Sequence, residues 1–90
     1  MHAPLKHFAS PQFWHHYWRL PQVARDVADK NFELLKADPT YPSLHLKRVG
    51  DFWSVRVGLA YRALGTSCEG GLIWFWIGSH ADYDRLLKGE

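Results

Sequence analysis

One cysteine stands in this chain of 90 residues. Cys68 can form no internal disulfide, so packing must hold the fold, and a reducing compartment is the fitting one. Long apolar runs are missing too. None approaches the roughly 18 to 20 consecutive residues of a membrane span, and the N-terminus has neither the charged n-region nor the long apolar stretch of a signal peptide. These absences lead us to expect a cytoplasmic protein without a membrane partner. Strong charge of either sign is also lacking. The net charge is +2, so any nucleic-acid surface has to come from local clustering. There are no internal repeats and no low-complexity tracts. No cluster of metal-ligating residues and no obvious covalent nucleophile is visible, so neither a metal nor a cofactor is expected. The adjacent pair His15-His16 does not change this, because neighbouring helix positions point about 100° apart and do not converge on one ion.

What the chain does have is apolar and aromatic mass. Hydrophobic residues make up 47% and aromatics 16% of it, enough to bury surface against the entropy of ordering and to argue against disorder. Its length fits one domain over residues 1–90 with one modest core.

Helix signals come first along the chain. Ser10-Pro11 offers a capping hydroxyl and a proline with a fixed φ, predicting a short aromatic helix over "PQFWHHYWRL". Pro21 opens a second helix to about Ala37, ended by Asp38-Pro39. At about 100° per residue its Val23, Ala24, Val27, Ala28, Phe32, Leu34 and Leu35 share one half of the wheel, so this half should pack on something flat and apolar. Asn31 lies within that half and is expected to be buried and hydrogen-bonded.

After "DPTYPS" the pattern turns to short, β-branched or aromatic runs bounded by glycine: "LHLKRVG", "FWSVRVG", "YRALG" and "LIWFWIG". "SHADYDRLLKG" then reads as a short closing helix capped by Ser79. The expected fold class is α+β: two N-terminal helices on one face of a small antiparallel β-meander, followed by a short C-terminal helix.

Strand parity then suggests a site. If Gly58-Leu59-Ala60 is the turn of "WSVRVGLAYR", Val57 pairs with Tyr61 and Arg56 stands opposite Arg62, on the face away from the helices. Like charges placed that way repel. A seven-residue loop from Gly65 to Gly71 would place Trp74, Trp76, Gly78 and His80 on the arginine side as well, although a slip of one residue would reverse the set. His80 falls at the start of the last helix, where the dipole disfavours an imidazolium, and Tyr83 follows three residues on. Two arginine forks, an imidazole and aromatic rings suit a phosphodiester, with RNA the best fit: the forks hold the anion, histidine moves a proton, and rings stack on bases. The attacking group would be the substrate's own 2′-hydroxyl. Lys47 and Arg48 are candidate phosphate contacts, and Trp74 and Trp76 candidate stacking residues. The plainer alternatives are ion pairs of Arg56 and Arg62 with Asp51, Asp82 or Asp84, tryptophans that belong to the core, and basic residues that solvate an edge strand.

The order of elements, together with "LLKADPTYPSLHLKRVGDFWSVRVGLAYRALG" and "WIGSHADYDRLL", resembles the RelE/ParE superfamily of type II toxin–antitoxin toxins over roughly residues 20 to 88. The Leu-Pro before the long helix, the Arg-x-Gly…Tyr-Arg hairpin and the Gly-x-His-x-x-Tyr-Asp ending carry the likeness. It implies a RelE-like mRNA interferase: an endoribonuclease that cuts mRNA on the ribosome, with 16S rRNA contacts, neutralised by a cognate antitoxin protein. Carried over, Arg56 and Arg62 would stabilise the scissile phosphate, His80 would act as general base or acid, and Tyr83 would stand near the base or the proton path. Ser54 departs from the pattern, replacing a lysine found in some members. The alternatives are a ParE-like DNA gyrase inhibitor and a non-catalytic relative that only binds an antitoxin.

Overall fold

Ser10 caps the first helix by accepting a hydrogen bond from the Phe13 amide at 3.3 Å, and Pro11 begins the helix where its missing N–H is not needed. In the computed structural model, which describes residues 6–88, this helix is α1 (Pro11–Tyr17), preceded by a short strand β1 (Lys6–Ala9). Pro21 then caps α2 (Gln22–Ala37), and Asp38-Pro39 ends it. The Tyr17 hydroxyl donates to the Asp29 carboxylate at 2.8 Å and ties the two helices together. Burial and this acidic partner push the Tyr17 phenol up from its ordinary value. A turn of 3-10 helix at Pro42–Leu44 leads into the strands.

The strands are β2 (Lys47–Val49), β3 (Phe52–Val57), β4 (Tyr61–Cys68) and β5 (Gly71–Ser79), and α3 (His80–Leu87) follows directly. They form one five-stranded sheet in the order β1-β5-β4-β3-β2. The last four are an antiparallel meander, while β1 returns to pair parallel with β5. The expected α+β architecture is present, with a parallel edge added by "KHFA".

One part of the expected register is corrected. Instead of a seven-residue loop after Leu64, β4 runs on to Cys68, which faces Gly71 across the two-residue turn Glu69-Gly70. The extra paired length is absorbed by a bulge, with Leu64 opposite Trp76 but Gly65 opposite Trp74, so that Phe75 is the unmatched residue. A bulge shifts the alternation of side chains by one. Trp76 and Gly78 therefore share the arginine face, whereas Trp74 turns to the helix side. Gly65 makes room for it, since a Cβ there would stand 2.8 Å from Trp74 Cε3.

The main core lies between the helices and the sheet, built on Ala24, Ala28, Leu35, Leu44, Val55, Val57, Trp74 and Ile77. Burying a leucine such as Leu35 stabilises the fold by about 1.5–3 kcal/mol. Not all of the apolar half of α2 is covered: Val23 is 75% exposed, and Phe32, also exposed, lines a cavity of about 370 Å³. Asn31 is half-buried in the lining of that cavity rather than buried. A second, smaller cluster of Leu64, Trp76 and Tyr83 joins α3 to the opposite face of the sheet. The arginine face is thus partly covered rather than open throughout. Among the described residues no helix is long and apolar enough to cross a membrane.

Candidate functional site

The arginine pair is set by its turn. Gly58 takes a φ of +63°, favourable for glycine, and the chain reverses over Gly58-Leu59-Ala60. Val57 therefore pairs with Tyr61 and Arg56 with Arg62, the register read from the sequence. Both side chains are half-buried. Among the described residues neither guanidinium takes part in an ion pair, so the structural reading of carboxylate partners does not hold here. Arg62 Nη1 donates instead to the Tyr61 carbonyl at 2.7 Å and, at 3.5 Å, to that of Leu59. Arg56 Nε is buried with no hydrogen-bond partner among the described residues. Burial, and next the Arg56 charge, lower the Arg62 guanidinium from its ordinary value, while Tyr83 and Asp84 act the other way. It stays protonated, as arginine does in proteins. The result is a concentrated positive charge that a phosphate can offset.

The same turn holds the histidine. The His80 backbone N–H donates to the Ala60 carbonyl at 2.9 Å, which pins the first residue of α3 to the reversal between the two arginine strands. Ser79 caps this helix by accepting from the Asp82 amide at 3.1 Å. The imidazole itself is about half exposed, with Nε2 3.6 Å from Asp84 Oδ1. Its ring lies nearly parallel to that of Tyr83, at 26° and 6.2 Å between centroids.

Tyr83 does accompany His80, but it faces inward. It is buried, and its hydroxyl donates to Ser54 Oγ at 2.8 Å inside the sheet–α3 contact. The phenolic proton is engaged there.

The four residues expected to touch RNA divide. Lys47 is exposed and pairs with Ser54, so it shares the arginine face. Arg48 pairs with Trp53 and lies over its ring at 5.6 Å, on the other face. Trp74 is corrected from stacking candidate to core: it is 4% exposed, and its indole N–H donates to His7 Nδ1 at 3.1 Å. Trp76 is on the expected face but packs with Leu64 and Tyr83, its ring close over Gly78.

Sequence reasoning did not find the groove beside the pair. Running between α1 and α3 with a volume of about 510 Å³, it passes Trp76, Gly78 and Ser79 and has Arg19 and Arg85 on its walls. Arg85 pairs with Asp82. His16 also lines it, and burial, then His15 and Arg19, lower that imidazole from its ordinary value. Nothing in the spacing of residues 16, 19 and 85 announces that α1, the turn after it and α3 bring them together.

Residues 24–85 match the family described as ParE-like toxin domain. Among solved structures, the RelB-RelE antitoxin–toxin complex from Methanococcus jannaschii is similar at 17% identity and a TM-score of 0.62, covering 86% of this chain and 95% of that one. A YoeB/ParE toxin from Agrobacterium tumefaciens is 14% identical with a TM-score of 0.63, over 84% and 99% of the two chains. A mutant of the E. coli toxin RelE in the free state is 12% identical with a TM-score of 0.64, over 97% and 98%. No curated protein matches by sequence.

Proposed function

The chain belongs to the ParE-like toxin family, within the RelE/ParE superfamily, and from that premise we propose that it is a toxin that cuts mRNA on the ribosome and is held in check by a cognate antitoxin. One observation carries the reading: two arginines directly opposite in register, without carboxylate partners among the described residues, and an exposed imidazole whose backbone is tethered to the turn between their strands. Solved complexes of RelE with RelB and of YoeB with YefM support the antitoxin partner.

In this mechanism Arg56 and Arg62 hold the scissile phosphate, and Lys47 extends the positive face along the backbone. The His80 imidazole takes the proton of the 2′-hydroxyl. The 2′-oxygen then bonds to the adjacent phosphorus while the bond from phosphorus to the 5′-oxygen breaks, and that oxygen takes up a proton from solvent. The products are a 2′,3′-cyclic phosphate and a 5′-hydroxyl. Negative charge grows on the non-bridging oxygens in the transition state, where the two forks are most effective.

Primer extension on mRNA from translating ribosomes tests this. New 5′ ends are expected with the wild type and a loss of about 100-fold or more with Arg62→Ala, in line with removal of a charge-stabilising donor. Intact mRNA with the wild type, or equal cutting by the variant, rejects the reading.

The buried Tyr83 hydroxyl and the ParE-like match favour a second reading, inhibition of DNA gyrase, which would need no proton-transfer group. Blocked supercoiling by purified gyrase together with intact mRNA would decide for it.

A further inference from the structure

A serine in the middle of a strand has little packing value, and one sealed from water needs a partner for its hydroxyl. Ser54 is 2% exposed, the one buried non-aromatic polar side chain among the described residues. Its partner comes from the far end of the chain. The Tyr83 hydroxyl reaches it at 2.8 Å, past β4, whose Leu64 faces Ser54 in the register. The bond therefore ties α3 to β3, two residues from Arg56 on the same face.

Tyr83 also carries the other half of a link. Three residues after His80, its ring lies at 26° to the imidazole. The His80 backbone is pinned by Ala60, and among the described residues its imidazole pairs with this one aromatic ring, while the Asp84 carboxylate, at 3.6 Å, stands beyond hydrogen-bonding distance. The imidazole thus lies beside a ring whose own hydroxyl is held from β3.

We propose that Ser54 is a positioning residue: by holding the Tyr83 hydroxyl it fixes the phenol ring on which His80 rests, and so aims the imidazole at a phosphate held by Arg56 and Arg62. This rests on the reading of His80 as the proton acceptor. It also gives Tyr83 a task that leaves its hydroxyl out of the reaction. Small, buried and uncharged, Ser54 turns a tyrosine into a support instead of presenting a cation to substrate.

Two single variants and their double separate positioning from mere stability. Ser54→Ala strands the phenol, Tyr83→Phe strands the serine hydroxyl, and each lowers the unfolding midpoint, because a buried polar group loses its partner. In Ser54→Ala/Tyr83→Phe neither is stranded, so the midpoint returns toward wild type. The His80 imidazole cross-peak in a ¹H–¹³C NMR spectrum, assigned by its loss in His80→Gln, reads the ring's surroundings directly. We expect it displaced in both single variants and still displaced in the double, with cleavage lower by about fivefold to tenfold in all three, the equivalent of one hydrogen bond. An imidazole signal unmoved in the single variants overturns the proposal. So does a double variant whose cleavage recovers together with its midpoint. If the wild type leaves RNA intact, the RNA reading falls, and the imidazole signals alone decide the positioning: displaced in all three variants supports it, unmoved overturns it.

Discussion

Arg56 is held at a cost. Its Nε–H is buried without an acceptor among the described residues, and it stands directly opposite Arg62, on which its charge acts. An unsatisfied buried donor costs about 1–3 kcal/mol, and like charges directly opposite cost up to about 1 kcal/mol. Arg56→Met keeps the length of the apolar stem and removes both penalties. We expect a rise of about 1 kcal/mol in stability, or about 4–8 °C in the thermal midpoint of a domain this size, together with loss of RNA cleavage. A lower midpoint, followed by circular dichroism, would show that the residue is compensated in a way the hydrogen-bond geometry does not reveal. Arg62 differs, because its Nη1 returns to the Tyr61 carbonyl at 2.7 Å. Arg62→Lys keeps the charge but loses the planar fork, so cleavage should fall by about tenfold or more while phosphate-driven RNA binding, followed by a salt titration, changes little. The pairing of these arginines was legible in the sequence, since a glycine-led reversal and strand parity fix it. The inward turn of the Tyr83 hydroxyl was not: it depends on Ser54, 29 positions away.

Among the elements, β5 was the hardest to read. "LIWFWIG" offers six large apolar residues in succession and no polar alternation to mark which face each one takes, so one unmatched residue reverses the assignment of Trp74 without leaving a trace in the pattern. The structural signal is Gly65, whose missing side chain admits the indole. Gly65→Ala would set a methyl 2.8 Å from Trp74 Cε3 and 3.0 Å from the Ile73 carbonyl. Overpacking of this kind costs about 1–3 kcal/mol, so the urea midpoint should fall, with near-ultraviolet circular dichroism reporting a displaced tryptophan. An unchanged midpoint and spectrum would mean that Trp74 is not seated there. The helices were easier, because capping and termination are local. Ser10, Pro21, Asp38-Pro39 and Ser79 bound α1, α2 and α3 where the sequence places them.

Across the whole molecule, two histidines link stability to pH. His7 is lowered from 6.5 by burial and then by Lys36, and His16 by burial, then His15 and Arg19. In each case the folded value lies below the unfolded one, so as the pH falls below 6.5 the unfolded chain binds the proton first. Their contribution is complete above 6.5 and is lost on descent through the folded values. His7 adds a specific reason, since an indole nitrogen can only donate and protonating Nδ1 would displace the Trp74 N–H it accepts. Urea midpoints measured from pH 7.5 to 5 should decline, and less steeply in a His7→Gln/His16→Gln variant; parallel slopes would assign the loss to other groups. What the sequence determined by itself was local: where the three helices begin and where the long one ends, that four glycine-bounded runs are strands, and that one short turn sets two arginines opposite each other. Caps, turns and the period of two act between near neighbours, so they can be read in order. The tertiary structure alone decided that a bulge sends Trp74 into the core, that β1 closes the sheet in parallel, that Arg19 and Arg85 share a groove, and that Ser54 supports the ring beneath His80. Each depends on how distant surfaces fit together, and shape complementarity between segments far apart in the chain leaves no spacing to count.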